Sequence, residues 1–386
     1  MPGWAAALSA GAPADLVARV LALAVGGAAR AERVRRVLAA RLEAGAPTDA
    51  DALLRALEDA SRRAAPPAVD AAAAALLSLG ARVLVVGNPG YPLRLAAAWP
   101  ELGAPLWLAA RSADGRLADG PAVAVVGTRR PSLDGLRTAH RLGRLLAGHG
   151  VVVVSGLARG IDQAAHRGAL DAGGATIAVL GAGLDVDYPA GSARLRAAVA
   201  AAGGVVSEHL PGTPPRPGHF LWRNRIISGL ADATVVVEGR QRSGALQTAR
   251  LAAAQGREVL AVPGSLSTPT SRAPLDLIRD GARPVTRLED VLDAVGVAWS
   301  PAAEDEDSPA RDLNPTAAAV LDLLGSVPTT AGALADRTGF GVGQVLAALG
   351  ELTVRGLAEA TPGGIVRILL SHASDRGVTA SSRRRS

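Results

Sequence analysis

The chain has 386 residues, 49% of them hydrophobic, and a formal net charge of +6 from 41 basic and 35 acidic side chains. That length supports a sizeable core plus satellite units, and no stretch of about 20 strongly apolar residues marks a membrane span. Cysteine is absent and every position counted as Lys or Arg is Arg, which excludes a disulfide framework, thiolate metal sites, the Walker lysine and lysine Schiff-base chemistry.

The first residues, MPGWAAALSAGAPADL, lack a basic segment ahead of an apolar run, so they do not read as a secretory signal, and the expected compartment is the cytoplasm. Residues 1–80 read as a helical, SAM/helix-hairpin-helix-like domain. Leu16, Val20 and Leu23, then Val34, Val37, Leu38 and Leu42, recur near a helical period. Pro47-Thr48-Asp49 opens a further helix that Pro66-Pro67 is expected to end. Residues 82–86 and 104–108 read as strands that extend a main sheet.

From residue 121 strand and helix alternate. Strands are expected near 122–126, 151–154, 175–180, 205–207, 233–238, 258–262 and 283–286, with the strongest helices at 134–148, 161–172, 191–202 and 244–255. The pattern predicts an α/β domain over 81–297, an extended Rossmann-like, doubly wound, mostly parallel sheet. An acidic, Pro-containing linker at 298–315 separates it from a winged-helix domain at 316–370, read from three helices and two short strands around Pro362-Gly363. The tail 371–386 is polar, basic and expected to be disordered. Residues 121–296 alone carry a net +6, whereas 297–315 carry −4 and 316–370 carry −1, so a polyanion site belongs in the central domain.

The loops at the carboxyl ends of these strands hold the chemistry, because ligands of open α/β sheets bind there. Gly127-Thr128-Arg129 and Ser155-Gly156-Leu157-Ala158-Arg159-Gly160 each combine a glycine turn, a hydroxyl and a guanidinium ahead of a helix, which are the parts of an anion site. Asp162 reads as an N-terminal cap of the next helix. With His166 four residues on, it forms a pair open to a structural hydrogen bond or to acid–base work. Gly181-Ala182-Gly183 lacks the third glycine of a dinucleotide fingerprint, and no such run follows the 122–126 strand, so no NAD or FAD cofactor is expected. Pro217 to Leu230, PGHFLWRNRIISGL, sets Phe220 and Trp222 beside Arg223, Asn224 and Arg225. Aromatic faces that stack bases and Arg that meets phosphate are how single-stranded nucleic acid is held, and the segment is expected to fold over the same edge. Ser243-Gly244 opens a helix after Glu238-Gly239. No nucleophile–base spacing and no metal-ligand spacing emerges.

The ordered set VGTRRP, VVSGLARGID with AAH, YP after GLD, SE at 207–208, FLWRNRIISGL, VVEG with SGALQTA, and AVPG closely resembles the bacterial DNA-processing protein A family (DprA, also called Smf), over roughly 120–296. The resemblance implies a Rossmann-like core without redox chemistry that binds single-stranded DNA, loads RecA recombinase during natural transformation, works without a catalytic residue or cofactor, and is dimeric through this core. Carried over by position, the DNA site comprises Gly127, Thr128, Arg129, Ser155, Gly156, Arg159, Phe220, Arg223, Asn224 and Arg225, with Ser243 and Gly244 nearby. Departures from the family pattern are Ser192 and Arg216 near places that often hold Asn and Lys, Leu221 where Pro is usual, and Pro274-Leu275 in place of Thr-Asn. The alternatives are a nucleotide-processing enzyme resembling a nucleoside-monophosphate phosphoribohydrolase, with Glu238 or Glu208 as its carboxylate, and a regulatory scaffold.

Overall fold

A computed structural model of the chain describes residues 8–25, 66–98, 104–300, 313–324, 328–355, 357–361 and 364–367. The helical turns expected at Val34–Leu42 and after Pro47, most of the acidic linker and the tail lie outside the described residues. The chain forms two compact units, Met1–Ala303 and Glu304–Ser386.

The first unit is built on a nine-stranded sheet. In chain order its strands are β1 (Arg82–Val85), β2 (Trp107–Arg111), β3 (Ala122–Val126), β4 (Val152–Ser155), β5 (Thr176–Leu180), β6 (Gly204–Ser207), β7 (Ala233–Val236), β8 (Glu258–Ala261) and β9 (Arg283–Pro284). Their spatial order is β1-β2-β6-β5-β4-β3-β7-β8-β9. From β6 to β9 every pair is parallel, while β2 runs antiparallel to both β1 and β6. The chain winds outward from β3 to β6 on one side, then returns to β7 beside β3 and winds to β9 on the other. The order therefore reverses between β3 and β7, which is where a doubly wound sheet opens a crevice at its carboxyl edge. The second strand starts at Trp107, three residues later than its sequence pattern suggests. Pro105, which has no N–H to donate, lies outside the ladder.

Period-two alternation divides the strand side chains between two faces. Val123, Val125, Val153 and Val235 join one core with α4 (Leu133–Gly148) and α5 (Ile161–Asp171). Ala124, Val126, Val154 and Val236 join the other, with α6 (Ala193–Ala202), α7 (Pro217–Gly229), α8 (Gly244–Ala254) and α9 (Arg272–Arg279). The same second core takes in the N-terminal helices α1 (Ala14–Val25) and α2 (Pro66–Ser78) through Leu16, Val20, Ala73 and Leu76, so these pack directly onto the sheet. Pro66-Pro67 opens α2, because proline's missing N–H and fixed φ suit a first helical position; the helix it is expected to end lies outside the described residues. Short helices α3 (Leu93–Ala96) and α10 (Asp290–Asp293) complete the unit.

The second unit has α11 (Pro315–Leu323), α12 (Ala331–Thr338), α13 (Val342–Val354) and the hairpin β10 (Ala358–Thr361) with β11 (Gly364–Arg367), a winged helix around Val320, Leu334, Val345, Leu349 and Leu352. Thr329 bridges Ile365 beside the hairpin. The third helix of this unit, α13, carries no basic residue and exposes Val342 and Leu346. No helix among the described residues is long and apolar enough to cross a membrane.

Candidate nucleic-acid interface

Three neighbouring strands deliver Arg-bearing turns to the carboxyl edge. After β3 come Arg129 and Arg130, after β4 comes Arg159, and after β7 come Arg240 and Arg242, all exposed. Each turn feeds a helix, α4, α5 or α8, whose free N-terminal N–H groups add positive potential at the same edge. Sequence reasoning singled out Arg129 and Arg159. Arg130, Arg240 and Arg242 share their exposure and their edge, and the signal was available in the Arg-rich run after Glu238.

The turns are braced across the crevice. Thr128 N donates to Glu238 O at 2.7 Å, and Thr128 O accepts from Ile161 N at 3.4 Å, tying β3, β7 and α5 together. The Thr128 hydroxyl accepts from Arg130 N at 3.2 Å. Ser132 caps α4 by accepting from Gly135 N at 3.0 Å, and the Glu238 carboxylate accepts from both Ser132 N, at 3.0 Å, and its hydroxyl. Ser243 caps α8 by accepting from Leu246 N at 3.3 Å, and Asn224 Nδ2 donates to Gly244 O at 3.2 Å, so α7 is pinned to the head of α8.

The segment 217–229 is a helix, α7, opened by Pro217 at its first turn. Phe220 meets the β3 turn here. The Arg129 guanidinium lies 4.9 Å from the Phe220 ring centroid, and Tyr188 lies 4.9 Å away on the ring at a 33° tilt. Gly156, Gly181, Tyr188, Pro189, Phe220 and Arg223 line a small pocket between these elements. Tyr188 and Pro189 complete its wall from the loop after β5, a contribution that the Y-P turn in the sequence marked.

Several residues that the sequence reading aimed at a ligand are turned inward. The buried Ser155 hydroxyl donates to Val125 O at 2.6 Å, and so holds β4 to β3. Arg223 is 5% exposed and fills the space over Gly156, where a Cβ would stand 1.5 Å from its Nη1. The glycine at 156 is thus required by an internal guanidinium. Arg223 donates to Val179 O at 2.9 Å and stands 3.8 Å from the Asp162 carboxylate. Asp162 in turn accepts from Gly156 N at 3.2 Å and Ala158 N at 3.4 Å, holding the loop around Leu157, whose φ of 57° is left-handed. It therefore ties down the preceding loop, and Gly160 occupies the cap position of α5. Burial pushes the Asp162 carboxyl up and the Arg223 guanidinium down to about 10, with their mutual attraction opposing both shifts, so Arg223 stays charged at neutral pH.

Arg225 is 3% exposed and donates to both oxygens of Glu208, at 2.7 and 2.8 Å. Trp222 covers it, with the guanidinium 4.3 Å from the indole centroid. His209 and His219 stack at 4.2 Å beside this pair, and burial, His219 and Arg225 together push His209 down to about 4. His166 contacts Thr176 and not Asp162. Its Nδ1 lies 2.7 Å from Thr176 Oγ1, which itself donates to Val153 O at 2.7 Å, so Nδ1–H must be the donor. Burial first, then Arg223, push His166 down to about 3. Among the described residues no group of His, Asp and Glu is arranged to hold a metal ion.

The family model described as DNA recombination-mediator protein A matches residues 82–296, and that described as DprA winged helix domain matches 302–364. The chain is 43% identical over 252 residues to Protein Smf of Escherichia coli (strain K12), covering 64% of this chain and 67% of that protein. It is 38% identical over 220 residues to the DNA processing protein DprA of Bacillus subtilis (strain 168), covering 57% of this chain and 73% of that one. The X-ray structure of DNA processing protein A (DprA) from Streptococcus pneumoniae superposes with a TM-score of 0.55 at 36% identity, over 63% of this chain and 86% of that one.

Proposed function

The chain belongs to the DNA recombination-mediator protein A family, and on that premise we propose that it binds single-stranded DNA along the carboxyl edge of its sheet and passes the strand to a RecA recombinase, as a homodimer, in natural transformation. The observation that carries this reading is the meeting of Arg129 with Phe220 at 4.9 Å, which sets a cation and an aromatic ring from distant parts of the chain at one edge. Exposed Arg129, Arg130, Arg159, Arg240 and Arg242 would take backbone phosphates, with the helix N-termini adding to the field. Of the family-derived site residues, Arg129, Arg159 and Gly244 are exposed and, with part-exposed Thr128, would contact the strand. Ser155, Arg223, Asn224 and Arg225 would hold the floor beneath it, and Gly127, Gly156, Ser243 and Phe220 would shape the turns and wall.

An enzyme acting on nucleotides would need a free carboxylate at this edge. Glu238 is held by Ser132 and Glu208 by Arg225, which favours a binding role over a catalytic one. The absence of basic residues from α13 supports a protein-contact role for the winged helix over docking on duplex DNA. Phosphate contacts predict weak sequence preference and a steep salt dependence. In a fluorescence-anisotropy titration with labelled dT and mixed-sequence oligonucleotides, Arg129→Ala and Arg159→Ala are each expected to weaken binding alike on every sequence. Each should also reduce the slope of log K against log salt by about 0.7, the value for one phosphate on a single strand. Unchanged affinity and slope in both variants sinks the assignment of this edge.

A further inference from the structure

Phe220 and Trp222 lie two residues apart on α7. At 3.6 residues per turn that is a separation of about 200°, so the two rings face opposite sides of the helix. Their surroundings differ. Phe220 packs against Arg129, Tyr188 and the wall at Gly181 and is only partly exposed. Trp222 has one face on the Arg225 guanidinium at 4.3 Å, and the side chain remains 47% exposed. Arg225 cannot easily withdraw, because it is buried and gripped by both oxygens of Glu208. The indole is therefore a flat ring backed by a fixed cation and open to solvent on its outer side. Leu221, 48% exposed, stands next to it in the chain.

We propose that Trp222 is a second platform for an unpaired nucleobase, on the opposite side of α7 from Phe220. The inference rests on the single-strand reading above and extends it from a phosphate groove with one partly covered ring to a track with a second, more open stacking surface. A preorganised ring loses little freedom when a base settles on it, and stacking tolerates any base because each has a π-face. Arg216, Pro217 and Gly218 at the head of α7 are exposed, and a strand leaving the Arg129 turn would pass around this helix end. A duplex cannot use this surface, since its base faces are already stacked on one another. The competing role for Trp222 is a cover that only shields the Arg225–Glu208 pair.

The test uses the full chain with labelled oligo-dT over a salt series, and the variants Trp222→Leu and Trp222→Phe. Leu keeps an apolar cover on Arg225 but removes the stack, whereas Phe keeps a smaller ring. Trp222→Leu is expected to weaken binding about tenfold with no change in the salt slope, because the lost contact is not ionic. Trp222→Phe is expected to lose under about threefold and to abolish most of the tryptophan quenching that bound strand produces. Full affinity in Trp222→Leu, or undiminished quenching in Trp222→Phe, overturns the proposal. Should Trp222→Leu fold poorly, the quenching comparison decides alone. A wild-type chain that binds no single strand at low salt defeats the underlying reading as well. Binding lost in Arg129→Ala but retained in Trp222→Leu defeats only the platform.

Discussion

Arg223 illustrates how one guanidinium organises the floor of the edge. Its Nη1 occupies the volume that any side chain at 156 would need, it donates to Val179 O, and it is the charge that offsets buried Asp162. Gly156→Ala is therefore expected to expel the guanidinium and leave the carboxylate unpaired. Breaking a buried pair in this way costs about 3–5 kcal/mol, and a urea unfolding curve reads the loss directly. Arg223→Ala should cost a similar amount at pH 7. Since burial already raises Asp162, the deficit should shrink as pH falls and that carboxyl takes up its proton without penalty. A deficit independent of pH would show that Asp162 does not depend on Arg223. The sequence marked Gly156 and Arg223 as important, yet the partner each needs lies more than sixty residues away along the chain. Local pattern carries no record of such a contact, so both read as ligand-facing.

The elements show where pattern suffices and where it does not. Strands β3, β4, β5 and β7 were legible as short, unbroken β-branched runs, because a strand covered on both faces has no polar side to interrupt it. Helices α4 and α5 were legible because one face meets solvent. By contrast α7 buries Arg223, Asn224 and Arg225 together with Ile226 and Ile227, so charged and apolar residues share its inner side and the helical period is lost. Its helix start depends on Pro217, a residue equally at home in a loop. At the head of α4, Ser132 both caps the helix and anchors Glu238, which fixes the turn that carries Arg129 and Arg130. Ser132→Ala is expected to cost about 1–2 kcal/mol, most of it the lost cap. It should also loosen that turn, measurable as weaker single-strand binding at unchanged salt slope. Unaltered stability would mean that Glu238 alone holds the turn.

For the molecule as a whole, buried His166 and half-buried His209 set a pH window. His166 is held down to about 3 and His209 to about 4, against about 6.5 in an unfolded chain. Between those values the unfolded state binds more protons, so stability is full above about pH 6.5 and falls as pH drops toward 4. Asp162, raised by burial, acts in the opposite direction in the carboxylate range. Urea midpoints at pH 7 and pH 5 are expected to show the loss, with a shallower fall in His166→Gln, and an equal fall in that variant refutes the assignment. The positive charge of 121–296, the alternation of strand and helix and the sequence of glycine turns belong to composition and local pattern, so reading along the chain was enough to find the fold class and to point to the carboxyl edge as the candidate site. The division of labour among the Arg residues was not legible in that way. Exposure at Arg129 and Arg159, against burial at Arg223 and Arg225, depends on how α7 docks across the sheet against Glu208, Val179 and Asp162. A guanidinium's role follows from the acceptors within its reach, and long-range packing brings those acceptors there.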